Sequence, residues 1–214
     1  MPRPFAAMPI LVFALNLALG APAPAADSSH GPGPMQTAVL AGGCFWGMEA
    51  VFESLKGVSN VVSGFAGGSA LTAHYEVVST GVTGHAESVQ ITYDPQQISY
   101  HQLLEVYFKV AHDPTELNRQ GPDEGTQYRS AIFYANDQQR SEAQSTIHEL
   151  TVAKTFQAPI VTQVVPLHDF YPAEAYHQHY ARLHPDSPYI VYNDAPKLVE
   201  LRRRFPQLVA QTQN

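Results

Sequence analysis

The sequence predicts one α+β domain, a mixed β-sheet covered by helices, with a long irregular segment at its C-terminal end. Two periodicities and one irregularity carry that reading. Between His85 and Asp94, Val89, Ile91 and Tyr93 alternate with Ser88, Gln90 and Thr92, the period-two pattern of a strand with one buried face. Phe45, Met48, Val51, Phe52 and Leu55 recur instead at helical spacing. Strand and helix segments are interspersed, but their connections are too uneven for a regular βαβ series. At 214 residues, 44% of them apolar, the chain is long enough and apolar enough to bury a core.

In chain order, Thr37 to Gly43 reads as a short apolar strand ending in Gly42-Gly43. The helix of Phe45 to Leu55 follows, closed by Gly57. Val58 to Phe65 reads as a strand, and Ala66 to Gly84 as a glycine-rich loop leading into the alternating strand. Ser99 and Gln102 form a capping box for a helix carrying Leu103, Leu104, Tyr107 and Val110, which His112-Asp113-Pro114 stops. Tyr128 to Tyr134 is strand-like, and Asp137 is the expected cap of a helix reaching Lys154. Ile160 to Leu167 is a further strand and Ala173 to Leu183 a further helix. From Pro185 the tail is mostly irregular until a short basic segment, Lys197 to Phe205. No internal repeat or low-complexity block is present.

The first 25 residues differ from the rest. Arg3 precedes an apolar run from Ile10 to Leu19, and Ala23-Pro24-Ala25 fits the small-x-small pattern of a signal-peptide cleavage site. The run is short for a membrane span, and no stop-transfer pattern follows it. Residues 1–25 are read as a signal peptide, 26–36 as a linker, 37–206 as the folded domain and 207–214 as a tail. An uncleaved anchor is the alternative. The expected destination is an exported compartment, the periplasm or the medium, with no stable membrane anchor after leader removal. The formal charge is −7, and losing Arg3 leaves 11 Lys+Arg against 19 Asp+Glu, or −8. That balance argues against a nucleic-acid partner. A monomer is expected.

Cys44 is the only cysteine, so no internal disulfide forms. An unpaired thiol in an oxidising compartment is either buried or used. Cys44 lies where a Gly-Gly turn delivers the chain into a helix, and there the free N–H groups and the helix dipole lower a thiol's pKa. Phe45 and Trp46 either wall an apolar pocket or belong to a core in which Cys44 is simply buried. Glu87 shares parity with Val89 and Ile91. It is either an acid held protonated on the apolar face or a strand-end carboxylate already in solvent. His177 and His179, two apart on the expected helix, point to different faces, and no CxxC pair exists, so no metal site is expected. Arg202-Arg203-Arg204 reads as a solvated run.

Gly43-Cys44-Phe45-Trp46-Gly47 resembles the active-site signature of the A-type peptide methionine sulfoxide reductases. Further matching runs are Gly81-Val82-Thr83-Gly84-His85-Ala86-Glu87, His112-Asp113-Pro114, Gly125-Thr126-Gln127-Tyr128-Arg129-Ser130 and Tyr171-Pro172-Ala173-Glu174 with His177-Gln178. The resemblance implies that Cys44 is the nucleophile on the sulfoxide sulfur and that Phe45 and Trp46 hold the substrate's S-methyl group. It implies that Glu87 donates a proton to the sulfoxide oxygen, with Tyr75 and Tyr128 as hydrogen-bond donors, and that Asp123 helps manage the sulfenic product. The implied substrate is the S epimer of methionine sulfoxide, free or in oxidised proteins. No bound cofactor is implied, only an external thiol reductant: a thioredoxin-like protein, glutathione or similar. Two departures stand out. Phe65 takes a place where tyrosine is commoner, and no cysteine near the C-terminus is available to resolve a sulfenic acid. Two other readings remain, a one-cysteine thiol peroxidase and a non-catalytic binder of oxidised proteins.

Overall fold

A computed structural model of the chain describes residues 1–2 and 33–210. Apart from its first two residues the expected signal peptide lies outside the described residues, as do most of the linker and the last four residues of the tail. No described helix is long and apolar enough to cross a membrane.

The strands are β1 (Gln36–Ala41), β2 (Val58–Ala66), β3 (Ala86–Tyr93), β4 (Arg119–Gln120), β5 (Asp123–Glu124), β6 (Ala131–Tyr134), β7 (Gln163–Pro166) and β8 (Phe170–Pro172). The helices are α1 (Phe45–Glu53), α2 (Tyr75–Val78), α3 (Tyr100–Val106), α4 (Asp137–Val152), α5 (Tyr180–Leu183) and α6 (Ala195–Arg204). Six strands form one sheet in the order β7-β6-β1-β3-β2-β8, antiparallel except for the parallel β6–β7 pair, while β4 and β5 make a separate small hairpin. This is the mixed sheet of an α+β domain.

One face of the sheet, carrying Leu40, Val89, Ile91 and Ile132, packs with Phe45, Met48, Val51, Phe52 and Leu55 of the α1 segment and with Leu103 and Leu104 of α3. The other face carries a smaller cluster of Val39, Ala41, Ala66, Ala86, Ala131 and Phe133. The capping box at Ser99 forms as expected, and α3 runs on through a π-helical turn, Tyr107–Ala111.

Three local expectations need correction. Asn136, not Asp137, caps α4, its side chain accepting the Gln139 N–H at 2.9 Å, and Asp137 is the first helical residue. The helix expected over Ala173 to Leu183 is broken into a 3-10 turn, Ala175–His177, and the short α5. Tertiary bonds override its helical pattern: Gln178 exchanges hydrogen bonds with the Ser63 backbone at 3.0 and 2.9 Å, and the His179 N–H donates to Glu49 Oε2 at 2.8 Å. The C-terminal segment is also less irregular than its composition suggests. A π-helical turn, Ile190–Asp194, runs directly into α6, where Pro196 sits in the first turn and Leu201 is fully buried.

The end of β1 is fixed from below. The buried Tyr107 hydroxyl donates to Ala41 O at 2.8 Å and pairs with Ser130 Oγ at 2.9 Å, and Ser130 Oγ in turn meets His112 Nε2 at 2.7 Å. Tyr107→Phe strips a buried carbonyl three residues before Cys44 of its donor. It is expected to destabilise the fold by about 1–3 kcal/mol, read from the denaturant midpoint; an unchanged midpoint would contradict this role.

Candidate active site

Gly43 adopts φ +89°, and that turn places Cys44 at the N-cap of α1. A side chain at position 43 would strain the backbone and bring its Cβ within 2.5 Å of Gln120 Cγ. Phe45 supplies the first free N–H of the helix, and it donates to Glu87 Oε2 at 3.1 Å. One bond thus ties the nucleophile's helix to the β3 carboxyl.

The Cys44 environment corrects the expectation of a lowered thiol pKa. Cys44 is 8% exposed, and burial pushes its thiol well above the ordinary value, with Glu87 and Asp194 adding to the rise. The Trp46 backbone N–H and Lys197 oppose it without prevailing. The helix start does favour the thiolate, but desolvation of that charge is the larger effect in so closed a site. Alkylation of Cys44 by iodoacetamide is therefore expected to be slow at pH 7 and to keep rising beyond pH 9. A plateau reached by pH 7 would show that the helix start dominates.

Glu87 lies on the buried parity of β3 with Val89 and Ile91, 2% exposed, so the solvent-exposed alternative does not hold. Burial raises its carboxyl to about 8, the Phe45 N–H pulls it down, and Asp123 raises it again. Since Oε2 accepts the Phe45 N–H, Oε1 is left to carry the proton. Tyr75, at the start of α2, has its hydroxyl pushed up to about 12 by burial and then by Glu87 and Cys44. Tyr128 is raised further, by burial first and then by Glu87, Asp123 and Tyr75. Both phenols therefore stay protonated donors. Asp123, on β5, is raised by burial and accepts from the Tyr189 hydroxyl, which opposes that rise.

Phe45 is buried against Phe65 and His177, with ring centroids 5.8 and 5.0 Å away. Trp46 stacks on Tyr180 at 3.8 Å, meets Tyr189 edge-on at 5.8 Å, and donates its Nε1–H to His177 Nδ1 at 3.2 Å. All seven residues singled out by the sequence converge: Cys44, Phe45, Trp46, Tyr75, Glu87, Asp123 and Tyr128. Of the supporting residues, His177 stands in a run that the family resemblance covers, but none of His177, Tyr180, Tyr189, Asp194 and Lys197 was expected in the site. Gly47 carried a faint one, because a glycine inside a helix marks close approach. A Cβ there would lie 2.0 Å from Asp194 Oδ1 and 2.8 Å from Lys197 Nζ.

This acid–thiol–aromatic arrangement coincides with a family match over nearly the whole described chain. The model for "Peptide methionine sulfoxide reductase" matches residues 36–208. The chain belongs to the peptide methionine sulfoxide reductase family. It is 57% identical over 185 residues to peptide methionine sulfoxide reductase MsrA 2 of Mesorhizobium japonicum, covering 86% of this chain and 94% of that relative. It is 49% identical over 170 residues to an MsrA 2 of Synechocystis sp., covering 79% of each. Among solved structures it resembles reduced Mxr1 of Saccharomyces cerevisiae, with TM-score 0.67, 34% identity and coverage of 71% of this chain and 87% of that one. Methionine sulfoxide reductase A of Corynebacterium diphtheriae matches with TM-score 0.62 and 36% identity, over 71% of this chain and 76% of its own. The protein is accordingly an A-type reductase, a peptide-methionine (S)-S-oxide reductase among the oxidoreductases.

Two side expectations can be placed beside this peptide methionine sulfoxide reductase site. A one-cysteine peroxidase would want an arginine beside its thiol, and Arg129, an arginine whose place the sequence leaves open, is directed instead at the carbonyls of Gly84, His85 and Thr126 at 2.9–3.0 Å. His177 and His179 do not share a helix: His177 lies in the 3-10 turn and His179 adopts a left-handed backbone, φ 55° and ψ 25°.

Proposed function

We propose that the reductase works through a sulfenic acid on Cys44 that an external thiol reduces. The observation that carries this reading is the single bond from the Phe45 N–H to Glu87, which sets a protonated carboxyl beside the only thiol of the chain. A sulfoxide is a poor electrophile because its oxygen must leave, so attack needs that oxygen protonated or strongly hydrogen-bonded. Glu87 supplies the proton, and the Tyr75 and Tyr128 hydroxyls donate around the same oxygen. The S-methyl group lies against Phe45 and Trp46.

The raised Cys44 pKa fits this scheme. The sulfoxide S–O bond is a dipole, and its positive sulfur end at Cys44 favours the thiolate while its negative oxygen end favours a neutral Glu87. Binding of substrate, rather than the empty site, then activates the thiol. Cys44 loses its thiol proton to solvent and its sulfur attacks the sulfoxide sulfur while Glu87 protonates the oxygen. The S–O bond and the transient S–S bond then break as the hydroxyl passes to Cys44, and Glu87 takes a proton back from solvent. The substrate sulfur is reduced by two electrons to the thioether of methionine, and Cys44 is oxidised by two to S–OH. A first external thiol displaces that oxygen as water, giving a mixed disulfide, and a second releases Cys44 as a thiol with a disulfide as product. A thioredoxin-like protein or a small thiol such as glutathione fits this step, since the chain carries no second cysteine. Asp123, coupled to Tyr189, manages the proton at the sulfenic stage. With its leader removed, the protein repairs oxidised methionine in exported proteins.

The test is turnover of each epimer with glutathione, dithiothreitol and thioredoxin supplied separately. The S epimer is expected to react and the R epimer to remain. In single turnover the rate is expected to fall once pH rises above about 8, where the empty site loses the Glu87 proton and bound sulfoxide retains it somewhat longer. A rate that holds level to pH 10 would remove Glu87 from the acid role.

A further inference from the structure

We propose that Glu49, Glu53 and His179 form a binding site for one divalent transition-metal ion of the zinc type, outside the reductase site. Glu49 and Glu53 stand one turn apart on α1 and present one face. The left-handed backbone at His179 brings its imidazole onto that face, with Nδ1 2.5 Å from Glu53 Oε1 and 3.5 Å from Glu49 Oε1. One ligand atom from each residue lies within 4.8 Å of the others.

The second observation is the state of Glu49. Its side chain is 1% exposed; Oε2 accepts the His179 N–H, but Oε1 has no hydrogen-bond partner. The nearby Ser63 hydroxyl, also buried, likewise has no completed hydrogen bond. A buried carboxylate oxygen left bare is costly and calls for a cation. Among the described residues no lysine or arginine pairs with Glu49 or Glu53; their one ion-pair partner is His179, and Arg182 lines the same cleft without pairing with either. A proton on His179 offsets one negative charge, whereas a divalent ion offsets both.

Two carboxylates and an imidazole are a zinc-type donor set, and ligand atoms bound at about 2.0–2.2 Å sit roughly 3–3.5 Å apart around the ion. The present spacings bracket that value, so small side-chain movements close the site. On its open side lies a cleft of about 610 Å³ lined by Glu53, His179 and Arg182, with room for the water that completes a three-residue set. Metal binding there clamps the segment that bears His177 and Tyr180 onto α1, and both of those residues hold Trp46.

The test uses the full chain carrying Cys44→Ser, which removes the only thiol able to take zinc. Zn²⁺ is titrated in competition with a chromogenic chelator, while the fluorescence of Trp46, the sole tryptophan, and the melting temperature are followed. One ion per chain is expected, with a raised melting temperature and a changed Trp46 signal. Glu53→Gln and His179→Asn, the latter chosen because asparagine tolerates a left-handed backbone, should each weaken binding at least tenfold. Undiminished binding in the double variant, or no competition with the chelator, would overturn the proposal. A check without substitutions is zinc-edge X-ray absorption of the unmodified chain. One imidazole with oxygen neighbours is expected, and a sulfur neighbour would move the ion to Cys44 and refute the site.

Discussion

Replacing Glu87 with glutamine is expected to slow single-turnover reduction of the S epimer by about 10²–10⁴ at neutral pH, the usual weight of one general acid. Glutamine keeps the shape of the side chain, and its amide oxygen still accepts the Phe45 N–H, so α1 stays tied to β3. What is lost is the proton. The wild-type carboxyl, raised to about 8 by burial, is protonated at pH 7, and its advantage fades as pH passes through that value. The ratio of wild-type to variant rates should therefore be largest below pH 8 and shrink above it. It should also narrow in strong acid, where solvent supplies the proton. The same substitution removes a negative charge that raises the Cys44 pKa, so iodoacetamide should alkylate the variant faster than the wild type above pH 8. A structural carboxylate would give neither the pH-dependent ratio nor the faster alkylation. Removing one phenol, by Tyr75→Phe or Tyr128→Phe, should do less harm because the other hydroxyl remains.

Cys44→Ser is expected to abolish reduction, with rates falling by at least about 10⁴. The hydroxyl is nearly isosteric with the thiol but is a far weaker nucleophile, and it cannot carry the oxygen as a reducible S–OH. Circular dichroism and the melting temperature should stay close to wild type, because the α1 start is held by the Phe45–Glu87 bond rather than by the sulfur. A passive binder of oxidised proteins predicts the opposite, full function in the serine variant. The two readings differ completely in this one measurement.

The site was more legible in the sequence than its chemistry was. Parity aligned Glu87 with Val89 and Ile91 but left open whether that end of the strand lay in solvent, and the Gly-Gly turn put Cys44 at a helix start; Glu87 is buried and Cys44 is the N-cap. The sign of the thiol shift did not follow, because it depends on how much water the walls exclude and on charges far along the chain, Asp194 among them. The helix pattern of Ala173 to Leu183 was misleading for a related reason. Gln178 and His179 make their decisive bonds to Ser63 and Glu49, residues more than a hundred positions away, and these bonds outweigh local propensity. The C-terminal helix was legible in retrospect. Ile190, Leu198, Leu201 and Phe205 keep helical spacing, but the prolines and polar residues between them mask it. The small β4–β5 hairpin and β8 are two or three residues long, too short for any period to register.

The most direct test of the chemistry is the amount of methionine released in the absence of reductant. A chain whose only thiol is Cys44 can pass through one two-electron oxidation before it needs an external thiol. Mixing the protein with excess S epimer should therefore release about one methionine per chain and stop, with dimedone labelling Cys44 and no disulfide forming. Release of two methionines per chain, or one without a dimedone adduct at Cys44, would contradict a sulfenic acid intermediate.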